Sequence, residues 1–212
     1  MFRKLSAITA IFFLFFLANY THATKLKSSW KDPNVTAASF QLKKIFVTAI
    51  IKQELVRKVA EDKMVNVIKA NGNADAVASY TIFGTDSEIS DKEKAKATVA
   101  DMGFDGAIVM SYAGSKDEFK YTEKDEYSTF FPYNGFWDYY GYGWGAVYNA
   151  TSNAGDIRIL LETKLFSLKE DKLLWSGITE TKNPKNPAKV VGEIADETTK
   201  YLQKQGLLPK KK

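Results

Sequence analysis

Apolar positions change their period several times along this chain, and each change marks an element. Lys43-Lys44-Ile45-Phe46-Val47-Thr48-Ala49-Ile50-Ile51 is short, apolar and β-branched, which predicts a buried strand. Leu55, Val56, Val59, Ala60, Met64, Val67 and Ile68 then recur at a period of about 3.6, the mark of one helical face. Asn71-Gly72 ends that helix, because glycine accepts the left-handed position after the last turn. Ala76 to Phe83 predicts a second strand, closed by Gly84. Ser90-Asp91-Lys92-Glu93 has the form of a capping box with Ser90 as the cap. The helix behind it turns Ala95, Val99 and Met102 inward and stops at Gly103. Ala107-Ile108-Val109-Met110-Ser111-Tyr112 predicts a third buried strand. Strand, helix, strand, helix, strand in this order argues for α/β layers with parallel pairing.

The C-terminal part changes period again. Asp156 to Leu168 alternates, with Ile157, Ile159, Leu161, Thr163 and Leu165 on one face and Arg158, Glu162 and Lys164 on the other. Lys169-Glu170-Asp171-Lys172 predicts a turn, and Leu173 to Thr181, with Trp175 and Ile178, a partner strand. Asn186-Pro187 opens a last helix whose stripe is Val190, Val191, Ile194, Ala195, Thr198, Tyr201 and Leu202, ended by Gly206. Upstream of all this, Ser28-Ser29-Trp30-Lys31-Asp32-Pro33 reads as an edge strand stopped by proline. There is no internal repeat and no Pro- or Ser-rich linker. The expected architecture is a single α/β domain over 24–206, α+β being the alternative, in two or three layers, with 207–212 as a basic tail.

Residues 1–23 follow a different logic. Met1-Phe2-Arg3-Lys4 precedes an apolar run from Leu5 to Ala18, and small residues Thr21 and Ala23 stand at the −3 and −1 positions. This is the pattern of a secretory signal peptide. The run is shorter than the roughly 20 residues of a spanning helix. An uncleaved anchor is the alternative. The expected location is periplasmic or secreted, with no transmembrane segment after cleavage. The chain has no Cys, so it carries no lipid anchor on cysteine.

Cleavage changes the available chemistry. The one histidine, His22, leaves with the signal. The mature chain then has neither His nor Cys, which excludes a Ser-His-Asp triad, a Cys-His pair and a His-ligated zinc. Carboxylates, Lys, Tyr, Ser and Thr remain. Gly103-Phe104-Asp105-Gly106 lacks the Gly-Lys-Ser/Thr of a phosphate loop, and no EF-hand spacing occurs. No cofactor or metal is expected. The formal charge of +5 suggests nucleic acid only until it is divided. Arg3 and Lys4 belong to the signal and Lys210, Lys211 and Lys212 to the tail. The body is left with 25 basic and 25 acidic side chains. Nucleic acid is therefore not an expected partner, and the tail offers at most peripheral contact with an anionic surface.

The densest signal is residues 127–148. Tyr127, Phe130, Phe131, Tyr133, Phe136, Trp137, Tyr139, Tyr140, Tyr142, Trp144 and Tyr148 place 11 rings in 22 residues, among Gly135, Gly141, Gly143 and Gly145. Such rings suit sugar faces, a lipid headgroup layer, or a protein interface. Alternatively the loop folds back over the sheet and buries them. Tyr133, Phe136, Trp137, Tyr139, Tyr140, Tyr142 and Trp144 are the candidate partner-binding residues. A carboxylate-based glycosidase is the remaining catalytic option, with Asp32, Asp105, Asp117 and Glu118 as candidates, although solvated loop and cap charges explain those residues far better.

Several segments together carry a resemblance. They are Ser28-Ser29-Trp30-Lys31-Asp32-Pro33, the Lys-Lys-Ile-Phe-Val strand, Gly103-Phe104-Asp105-Gly106-Ala107-Ile108-Val109 and the Tyr/Gly-rich loop. Leu161-Glu162-Thr163-Lys164-Leu165-Phe166 and Lys172-Leu173-Leu174-Trp175-Ser176-Gly177 complete the set. The chain resembles uncharacterised bacterial envelope proteins, many of them lipoproteins. More distantly, its element order is similar to the N-terminal domain of the translocation protein TolB and to the curli secretion lipoprotein. The resemblance implies a non-catalytic envelope module that binds a protein or envelope surface. Binding to glycan or peptidoglycan, with weak hydrolysis, is the alternative.

Overall fold

Which way each strand runs follows from what connects it to the next. The computed structural model describes residues 24–36, 42–71, 74–84, 86–114, 135–141, 158–182 and 187–208. In chain order they form β1 (Lys25–Lys31), β2 (Lys44–Ile50), α1 (Glu54–Asn71), β3 (Asp75–Ala78), α2 (Asp86–Ser90), α3 (Lys92–Asp101) and β4 (Gly106–Gly114). A short helix over 136–141 comes next, then β5 (Arg158–Ser167), β6 (Lys172–Lys182) and α4 (Pro187–Lys204). The sheet order is β1-β6-β5-β4-β2-β3. β2 pairs in parallel with β3 and β4, and the remaining pairs are antiparallel. The fold is α/β, as the strand-helix alternation predicts.

The crossover from β2 to β3 and the one from β3 back past β2 to β4 run in opposite directions across the sheet. Crossovers of one hand must then lie on opposite faces, and the core divides that way. On one face Ala60, Met64 and Ile68 of α1 and Val191, Ala195 and Leu202 of α4 pack on Ile45, Val47, Ile108, Met110, Leu165 and Trp175. On the other, Ile89, Ala95 and Val99 of α2 and α3 pack on Phe46, Ala107, Val109 and Phe166. The result is three layers. Asp105 fixes the register of the parallel half. Its carboxylate accepts the Lys43 N–H at 3.0 Å and the Lys44 N–H at 2.9 Å, while its own N–H donates to the Lys44 carbonyl at 3.0 Å.

Several expectations are corrected. The second strand stops at Ala78, not Phe83, because Ser79 and Tyr80 turn away in a 3-10 turn (Ser79–Thr81) to donate to Glu61. The cap of α3 is Asp91, not Ser90. Ser90 closes α2, a helix the apolar pattern does not reveal, and the Asp91 carboxylate accepts the Lys94 N–H at 3.1 Å. Leu55, in the first turn of α1, is 76% exposed, and Met102 caps α3 at 38% exposure; neither lies in the core. Gly103 does stop α3, with φ +70. The fold also runs past Gly206, since Leu207 and Leu208 are buried in the core shared with α4. The signal segment, Gly72 and Lys210 to Lys212 lie outside the described residues.

The largest fully buried side chain, Trp175, lies along its own strand over Gly177. A Cβ at Gly177 would sit 2.3 Å from two atoms of the indole, a distance that forces the ring to move. Gly177→Ala is therefore expected to lower stability by about 1–3 kcal/mol through overpacking. Chemical unfolding followed by tryptophan fluorescence measures it; an unchanged midpoint would mean the ring has room to shift.

Candidate functional site

A short helix needs help at its ends, because one and a half turns leave most backbone groups without partners. The helix over 136–141, hereafter the clasp, gets that help from distant side chains. Asp171, at the tip of the β5–β6 hairpin with φ +45, accepts the Phe136 N–H at 2.7 Å. Lys92 on α3 pairs with Asp138 at 3.0 Å, and this contact holds the Lys92 ammonium above its usual range. The Tyr140 hydroxyl donates to the Ile89 carbonyl at the end of α2. Its rings do the rest. Phe136 meets Phe46 and Phe166 edge-on, with centroids 6.2 and 5.5 Å apart, and Trp137 lies against Phe136 and Tyr140.

Beneath the clasp lies a polar cluster on β4, β5 and β6. Register places Ser111 opposite Glu162, and Lys164 opposite Ser176. Glu162 and Lys164 are 2% and 1% exposed and 2.6 Å apart. The Tyr139 hydroxyl donates to Glu162 Oε2 at 3.2 Å, so Ser111 donates to the Tyr139 oxygen, 2.7 Å away. Ser176 donates to Glu162 Oε1 at 3.2 Å. Lys164 Nζ lies 4.1 Å from the centre of the Tyr139 ring, a cation–π contact that a dry site strengthens. Burial pushes the Lys164 amine below its usual range, and the Glu162 charge pulls it back in part.

Alternation sets Glu162 and Lys164 on one face of β5 without saying whether that face is covered; helices cover both faces of this sheet. In the aromatic segment, Phe136, Trp137, Tyr139 and Tyr140 are between 0% and 7% exposed and belong to the core. Tyr133, Tyr142 and Trp144 lie outside the described residues, as do Asp117 and Glu118.

The carboxylates that can be placed are committed. Asp105 is tied to backbone as above. Asp32 accepts the Asn34 N–H at 2.8 Å and pairs with Lys172; burial pushes its carboxyl up, but those partners win and hold it below its ordinary value. Glu61 is a buried group the sequence reading missed. Its carboxylate accepts from the Ala49 N–H at 3.0 Å, the Ser79 hydroxyl at 2.7 Å and the Tyr80 N–H at 3.0 Å. Burial nevertheless raises its pKa to about 7. The helical period held the signal: Arg57, Glu61, Met64 and Ile68 form one stripe of α1, and all four are buried.

Among the described residues, no cluster of three or more Asp, Glu, His or Cys forms a metal site, and no helix is long and apolar enough to cross a membrane. No family model matches the chain, and no curated protein matches it. Among solved structures, the PelC dodecamer from Paraburkholderia phytofirmans, in space group P6, is similar at 11% identity and a TM-score of 0.46. The match covers 89% of this chain and 99% of that one. A variant of the same dodecamer in space group C2 is similar at 11% identity and a TM-score of 0.44, covering 85% and 98%.

Two predictions follow from charge burial. Lys164→Met is expected to cost about 3–5 kcal/mol, because it leaves the buried Glu162 carboxylate without its cation under the clasp. The double variant Glu162→Leu/Lys164→Met should lie closer to wild type than either single variant. Urea unfolding of the four proteins tests this, and additive losses would contradict it. For Glu61, the folded pKa lies above the value of 4.5 for the free side chain. The folded state therefore holds a proton that the unfolded chain releases, and stability falls as pH rises from about 4.5 to about 7. The amplitude is at most about 3 kcal/mol. The difference between wild type and Glu61→Gln, measured across that window, should show this slope; a flat difference curve would exclude it.

Proposed function

We propose that this chain is an exported, non-catalytic module of the bacterial envelope that binds a protein partner through the flanks of its aromatic segment. The observation that carries the reading is the length of the connection between β4 and β5. These strands are antiparallel neighbours that a two-residue turn can join. The chain instead places residues 115–157 between them, 43 in all. The fold itself needs only a short turn here, so the length of the insertion calls for another role. The clasp pins this one at its middle, so Tyr133 and Tyr142 are each within a few residues of a fixed point.

Two further points support the reading. The signal-like N-terminus and the lack of cysteine fit a periplasmic protein that is not a lipoprotein, as does the resemblance to envelope proteins. The chemistry-bearing groups that can be placed are engaged in structure: Glu162 with Lys164, Glu61 with Ser79, Asp32 with Lys172, Asp105 with backbone. This favours binding over catalysis.

The test compares two variants by capture of partners from envelope extracts. Tyr142→Ala/Trp144→Ala, beyond the clasp, should lose partners with an unchanged unfolding midpoint. Phe136→Ala should lower stability by about 3–5 kcal/mol instead, as a buried ring does. Unchanged capture by the first variant would reject the reading. Co-sedimentation of the wild type with purified cell-wall sacculi would favour the glycan alternative.

A further inference from the structure

The interface between α4 and the sheet contains polar atoms that the protein itself does not satisfy. Thr163 Oγ1, Trp175 Nε1 and Thr198 Oγ1 are each buried without a hydrogen-bond partner. Buried polar groups in folded proteins are nearly always paired, so three at one interface need an explanation.

Register and ring contacts relate their positions along the sheet. Thr163 stands opposite Gly177 in the β5–β6 register. The Trp175 indole lies against Gly177 on the face that carries α4, where its ring is 5.7 Å from that of Tyr201. Thr198 is one helical turn before Tyr201, on the buried stripe with Val191, Ala195 and Leu202. Further along the helix, Glu193 accepts from the Thr24 hydroxyl at 2.9 Å, and that hydroxyl lies 2.8 Å from Thr181. Glu193 is thus level with Thr181 and Tyr201 with Trp175. Thr198 lies between them on the helix, as Gly177 and Thr179 lie between Trp175 and Thr181 on β6. Thr179 is already occupied, donating to the Leu161 carbonyl at 3.2 Å.

We propose that Thr163, Trp175 and Thr198 form a binding site for one buried water molecule between α4 and the sheet. The donor count closes. An indole N–H only donates, whereas each hydroxyl both donates and accepts. The water accepts from Trp175 and Thr198 and donates to Thr163, three bonds in all, the usual number for an internal water. This water joins α4 to β5 and β6 at a level where Gly177 contributes no side chain to the packing.

The test is oxygen-17 magnetic relaxation dispersion on wild type and Thr198→Val, a method that senses long-held water oxygens and ignores hydroxyl protons. The expected result is a smaller dispersion amplitude in the variant, by one long-lived water, with a lowered unfolding midpoint. An unchanged amplitude overturns the proposal. The stability sign of a dry interface is opposite, since valine then replaces an unsatisfied hydroxyl and raises the midpoint. Should Thr198→Val not fold, Thr163→Val removes a different partner of the same water and is read in the same way.

Discussion

Glu162 and Lys164 constrain everything built over them. They sit side by side on β5, in the covered half of a sheet whose faces are both buried. An ion pair in that position is costly to desolvate, and its attraction compensates only if the remaining hydrogen-bonding capacity is met. A purely apolar helix cannot meet it. The clasp can, because Tyr139 brings a hydroxyl to Glu162 and a ring face to Lys164 while the neighbouring Phe136 and Tyr140 remain in the apolar core. Its anchors follow from this need. Six residues do not hold a helical shape alone. Asp171 at the hairpin tip, Lys92 on α3 and the Ile89 carbonyl fix the clasp from three sides. The hairpin therefore does two things: its strands carry the charge pair, and its turn holds the cover.

Most of the architecture was legible from period alone. The β2-α1-β3 unit, the β4 strand, the hairpin and α4 all have long, regular apolar patterns, and parallel pairing followed from their alternation. Failures came where a side chain took over from the pattern. Ser79 and Tyr80 have strand-like neighbours, yet Glu61 draws them into a turn. Ser90 and Asp91 are both good caps, and only the geometry of the preceding helix decides between them. For Glu162 and Lys164, alternation says which residues share a face, but not whether that face is covered. Of the seven candidate contact residues, the four that can be placed are buried, and composition does not show that. Composition marked the aromatic segment as unusual, but a ring that binds a partner and a ring that fills a core have the same composition. Position relative to Asp171, Lys92 and Ile89 separates them, and those residues come from other parts of the chain.

The clasp also changes how the long connection behaves as a chain. Gly114 and Arg158 are separated by 43 residues. The described stretch 135–141 divides these into segments of 20 and 16 residues. The entropy of closing a loop rises only slowly with length, so this division alone changes stability little. Its larger effect is on binding. A side chain that must be ordered when a partner arrives costs roughly 0.5–1.5 kcal/mol, and loop ordering adds to that. Rings a few residues from a rigid anchor start nearer to a fixed position than rings in the middle of a free loop. Gly135 and Gly141 stand at the two ends of the clasp. A Cβ at Gly135 would lie 2.9 Å from the Asp171 carboxylate, so a side chain there would push aside the group that caps the helix. The burial of Phe136, Trp137, Tyr139 and Tyr140 is thus what fixes the chain at 135–141.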